Sequence, residues 1–110
     1  MNYIGNPPGY VALPPRAITT LGFRNRFTFA EKVTIEIACL DVPTAAMPAR
    51  QQAAALRANQ ADAAAADYID LDRPETRAGV QMLEAAGLLP AGRALAILDG
   101  PVQDIERPRS

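Results

Sequence analysis

A chain of 110 residues has room for one domain, and although 49% of it is apolar, alanine supplies much of that share, with only three Phe, three Tyr and no Trp as large anchors. The core it can bury is thin and of marginal stability when the chain is alone. The net charge of −1 comes without clustered Lys and Arg, which disfavours nucleic acid; lone Cys39 excludes an internal disulfide and a Cys-based zinc site; and no apolar run reaches the ~18 residues that read as a membrane span.

Proline placement divides the chain. Pro7, Pro8, Pro14 and Pro15 crowd the start, Pro101 and Pro108 lie near the end, and Pro43, Pro48, Pro74 and Pro90 fall between helical stretches. Because proline fixes φ and lacks an N–H, it stops helices and suits their first turn. The pattern predicts an extended arm over 1–22, a helical body over 23–100 and an extended tail over 101–110. Within the arm, Tyr3, Ile4, Tyr10, Val11, Leu13, Ile18 and Leu21 are large apolar groups of a kind seldom found in a linker. They are expected to seat in pockets on a neighbouring chain, or alternatively on the chain's own body. Arg16, Arg24 and Arg26 meet no acid before Glu31, whereas Asp62, Asp67, Asp70, Asp72 and Glu75 make the middle acidic. This polarity suits contacts between arm and body of adjacent copies, and equally describes two separately solvated patches.

Thr28-Phe29-Ala30-Glu31 is a capping box, which predicts a helix from Phe29 to about Leu40 that stops before Pro43. Phe29, Val33, Ile37 and Leu40 share one face and are expected to be buried, with Ile35 hinting at a second contact. Cys39 reads as a small buried apolar residue. From Pro48 to about Tyr68 the alanine content predicts a long helix. Ala54, Ala58, Ala61, Ala65 and Tyr68 repeat at coiled-coil spacing, although so alanine-rich a segment also suits a surface helix held by propensity. Asp72, Pro74 and Glu75 predict a second capping box and a helix to Ala86, stopped by Gly87, with Val80 and Leu83 inward and Gly79 allowing close backbone approach. A last helix should end near Asp99-Gly100-Pro101, with Leu95, Ile97 and Leu98 buried. The fold class expected is all-α, a body of three to four short helices with extended arms.

Catalytic and metal chemistry finds little material. There is no histidine, and Ser110 is the sole serine. Acids at Asp67, Asp70, Asp72 and Glu75 lack the alternate spacing and following glycine of a calcium loop, since Arg73 and Pro74 stand in those places. Residues 80–98 read as helix, glycine turn, helix, but the second helix carries only Arg93 and cannot read base edges, so a helical hairpin is the better description than a DNA-binding motif. No enzyme activity, cofactor, metal, nucleic-acid partner or membrane insertion is expected. The N-terminus lacks the pattern of a signal peptide, which sets the expectation of synthesis and residence in a cytoplasm.

Two stretches carry a resemblance: Phe23-Arg24-Asn25-Arg26-Phe27-Thr28 leading into Glu31-Lys32, and residues 68–80 followed by Leu83-Glu84-Ala85-Ala86-Gly87-Leu88-Leu89. Together they resemble small proteins encoded beside tail-tip and tail-fibre genes of long-tailed bacterial viruses and prophages. The resemblance spans roughly residues 21–100, matches the proline-rich arm and alanine-rich centre less well, and brings no catalytic motif. It implies a virion component associated with the tail, baseplate or fibres, bound to other tail proteins and to further copies of itself, residing in the host cytoplasm during assembly. The alternative is an assembly chaperone for a tail or fibre protein that leaves before the particle is complete; a small DNA-binding regulator is a more distant one. On this reading Tyr3, Ile4, Tyr10, Val11, Leu13, Arg16, Arg24 and Arg26 form the partner-binding set.

Overall fold

The computed structural model describes residues 12–108. In chain order these form β1 (Ala17–Ile18), α1 (Thr20–Arg24), α2 (Phe29–Ala38), α3 (Met47–Ala65), β2 (Ile69–Asp70), α4 (Pro74–Ala85) and α5 (Arg93–Asp99), followed by a 3₁₀ turn over Asp104–Glu106. The helical expectation holds, with five helices among the described residues and one addition. A two-residue antiparallel ribbon sets Ala17 opposite Asp70 and Ile18 opposite Ile69.

Local chemistry explains most boundaries. Thr19 opens α1 by accepting from the Gly22 N–H at 2.9 Å. Thr28 and Glu31 form the reciprocal capping box that starts α2. At the end of α4, Gly87 takes φ +79°, and the Gly87 and Leu88 N–H groups bond back to the Glu84 and Leu83 carbonyls at 3.0 and 2.9 Å. That double bond-back is the Schellman ending, and it turns the chain into α5. The start of α5 has no cap of its own; the Glu84 carboxylate of α4 accepts from the Ala94 N–H at 2.8 Å and locks the hairpin. Ile18, Leu56, Leu71, Ile97 and Leu98 are the most fully buried large side chains of a single core cluster.

Several expectations are corrected. Residues 17–22 belong to the body: Ile18 is fully buried, and Thr20 begins a helix. The chain closes on itself there because the Thr19 N–H donates to the Glu106 carbonyl at 2.7 Å, which also brings the expected tail back onto α1. The second capping box does not form. Arg73 stands at the N-cap of α4 without a side-chain bond, because Asp72 accepts from Arg16 at 3.0 Å and Glu75 accepts from Arg73 at 2.7 Å. A β-carbon at Gly79 would meet no neighbour within 4 Å, so no backbone approaches there. In α3 the buried residues are Ala53 and Leu56; Ala54, Ala58, Ala61 and Ala65 are exposed, and Tyr68 lies beyond the helix end, as a surface helix held by propensity requires. In α5 the buried residues are Ala94, Ile97 and Leu98, while Leu95 is exposed.

Candidate functional site

Helix α2 carries apolar side chains on two opposite faces, and Glu31 decides which one turns inward. Its Oε1 accepts from the Thr28 N–H at 2.7 Å, and its two oxygens accept from Arg93 Nε and Nη2 at 2.8 and 3.1 Å. Arg93 also donates to the carbonyl of Arg26 in the α1–α2 loop at 2.8 Å, so that one α5 side chain holds both α2 and the loop before it. The Arg93 hydrogen bond holds the Glu31 carboxyl below the usual glutamate range despite its burial. With Glu31 fixed inward, positions four and eight residues on must follow it. Ile35 and Cys39 are accordingly 4% and 6% exposed. Burial pushes the Cys39 thiol up from its ordinary range. The far end is secured by Arg57 of α3, which donates to the Cys39 carbonyl at 2.7 Å, and by Arg50 of α3, which pairs with Asp41 in the loop after α2.

The expected inward face therefore points to solvent. Phe29, Val33, Ile37 and Leu40 are 78%, 41%, 63% and 63% exposed. The face that turns inward instead is the one on which Glu31, held by two hydrogen bonds from half-buried Arg93, lines up with the apolar Ile35 and Cys39. An exposed stripe of this kind on an anchored helix is the type of surface that marks an interaction site. Along one flank run Lys32 and Glu36, neither of which forms an ion pair among the described residues. The other flank is small: Ala30 and Thr34, the latter with its hydroxyl donating to the Ala30 carbonyl at 3.0 Å.

The arginines expected to reach a partner divide. Arg26 donates through both edges of its guanidinium, to the Glu106 carboxylate twice at 2.8 Å and to the carbonyls of Ile97, Gly100 and Pro101. Arg16 donates to Asp72 and to the carbonyls of Leu98 and Gly100. Both do face acids and carbonyls, but of their own chain, where they satisfy the open C-terminal end of α5. Arg24 is exposed and engages nothing through its side chain among the described residues. Leu13 is 42% exposed. Tyr3, Ile4, Tyr10 and Val11 lie outside the described residues. The Arg26 hydrogen bond holds Glu106 below the usual glutamate range.

A cleft of about 760 Å³ opens between α1, α2, the second half of α3, β2 and α4. Phe23, Phe27, Ile35, Ile69 and Leu83 contribute its apolar lining, and Lys32, Glu36, Asp67 and Asp70 are among its polar groups. Thr20 in its wall donates its hydroxyl to the Ala66 carbonyl. Among the described residues no group of three or more Cys, Asp or Glu is placed to hold a metal ion, and no helix is long and apolar enough to cross a membrane.

Comparison with protein-family models, with curated proteins and with solved structures finds no match to this chain.

Proposed function

We propose that this chain is a non-enzymatic structural component that binds other proteins through its helical faces, and that its place is the tail, tail tip, baseplate or fibre region of a long-tailed bacterial virus. The observation that carries the binding half is the outward stripe of α2: Phe29, Val33 and Ile37 stand exposed on the helix, with Leu40 exposed in the turn just past its end, while the opposite face is fixed by buried Glu31 and its half-buried partner Arg93. The resemblance of residues 21–100 to proteins encoded beside tail genes supports the virion half. Tyr3, Ile4, Tyr10, Val11 and Leu13 remain the arm's proposed contacts, and exposed Arg24 can join them, while Arg16 and Arg26 contribute by holding α5 and the tail in place.

The test is mass spectrometry of purified particles, with wild-type chain and with Ile37→Asp, whose folding is checked by far-UV circular dichroism. The expected result is stoichiometric wild-type protein in the particle and a folded variant missing from it. Absence of the wild-type protein from finished particles would overturn the virion role in favour of a chaperone that leaves.

A further inference from the structure

We infer that the outward face of α2 packs against the same face of a second copy, antiparallel about a two-fold axis. The inference rests on reading that face as a binding surface and names its occupant. A two-fold axis perpendicular to a helix sets residue i of one copy opposite residue j of the other so that all such pairs share one midpoint. Pairing Val33 with Ile37 of the second copy places that midpoint at Ile35, and pairing Phe29 with Leu40, which continues the face in the turn just past the helix end, places it between Thr34 and Ile35. The same register sets Lys32 opposite Glu36 of the second copy, with its midpoint at Thr34. The three pairings thus agree to within one residue, about 1.5 Å along the axis.

Charge selects this arrangement. In an antiparallel pair like flanks meet, so Lys32 and Glu36, unpaired among the described residues, form two reciprocal ion pairs beside the apolar seam. A parallel pair would set that charged flank against Ala30 and Thr34 and leave both charges unmatched. Within one copy Lys32 and Glu36 are spaced by four residues with lysine first, the weaker order for an internal pair, which leaves them available. The small opposite flank lets the helices approach closely. A contact built on a ten-residue helix lies near the low end of specific interfaces, so the dimer should dissociate on dilution.

Sedimentation equilibrium of the full chain over a wide concentration range tests this. The expected behaviour is a monomer–dimer equilibrium, lost in Phe29→Asp. Lys32→Glu and Glu36→Lys should each weaken dimerisation by about tenfold, because symmetry doubles every like-charge contact, and the combined K32E/E36K chain should regain it. All these positions are solvent-facing or half-buried, and an unchanged helical spectrum certifies folding. A wild-type chain that stays monomeric throughout overturns the dimer; if Ile37→Asp is nevertheless missing from particles, the binding role of the face stands with a different protein as occupant. A dimer that ignores both charge reversals, or is not restored by combining them, overturns the antiparallel register.

Discussion

Arg26 and Glu106 join the first loop of the body to the last turn of the described chain through two parallel hydrogen bonds of 2.8 Å each. The remaining guanidinium N–H groups donate to the carbonyls of Ile97 and Gly100 at 2.7 and 3.0 Å and of Pro101 at 3.1 Å. All five donors are therefore matched, and one side chain both closes the chain and completes the C-terminal end of α5. Both side chains are about nine-tenths buried.

Lysine at position 26 offers a point charge in place of a planar fork and leaves several of those acceptors unmatched. Glu106→Ala should lower stability by about 3 kcal/mol, the scale for removing one partner of a buried pair, and Arg26→Lys, which keeps the charge but loses the fork, by about 2 kcal/mol. Arg24→Lys, on an exposed neighbour, should stay within about 0.5 kcal/mol. Urea denaturation followed by circular dichroism measures all three. Equal, small effects across the set would show that the Arg26 fork does not hold the fold.

Acid stability follows from Glu31 and Glu106. Both carboxyls are held below the ordinary glutamate value of 4.5 by arginine hydrogen bonds, so below that value the unfolded chain binds more protons than the folded one. Their contribution is complete above the unfolded value and disappears as pH falls through the lowered folded values. Stability should be flat from neutral pH to about 5 and then decline steeply. Glu106→Gln should be less stable at pH 7 and show a shallower decline. A mutant curve parallel to wild type down to pH 3 would exclude Glu106 as a source of that slope.

The two faces of α2 predict opposite outcomes for one substitution. Ile35→Ala removes a buried side chain and should cost about 2–4 kcal/mol. Ile37→Ala removes an exposed one and should change the stability of the monomer by no more than about 0.5 kcal/mol. Thermal melts at a concentration low enough to keep the chain monomeric give the comparison. A larger loss at position 37 would mean that the helix is rotated by half a turn from its described orientation.

Local signals are legible in the sequence where no distant partner competes for the same side chain; the Asp72–Glu75 box fails because Arg16 takes Asp72. The Thr28–Glu31 box, the Gly87 stop and the inward Val80, Leu83, Ile97 and Leu98 all appear as expected. What escaped were long-range polar bonds. Nothing in the spacing of Glu31 and Arg93, 62 residues apart, announces their pairing, yet it reverses the face of α2. Likewise Arg16 and Arg26 read as a free basic arm because the carbonyls and Glu106 that receive them lie more than seventy residues away. The isolated apolar Ile35 on the polar side of α2, one turn before Cys39, was the usable hint, since it marks a second stripe in register with Glu31.

Cys39 supplies a direct probe of that inward face. It is the sole thiol of the chain, it is buried, and burial pushes its ionisation upward, so little reactive thiolate is presented to solvent. Alkylation of the native protein at pH 8 should therefore be far slower than that of the same thiol in denaturant, and should proceed through opening of the α2 region. When opening is fast relative to reaction, the rate tracks the open population, so Ile35→Ala should raise it about tenfold for each 1.4 kcal/mol of stability lost, while Ile37→Ala leaves it nearly unchanged. Mass spectrometry of timed samples gives the rates. A native thiol that reacts at the denatured rate would place Cys39 on the surface and return the Phe29 stripe to the interior.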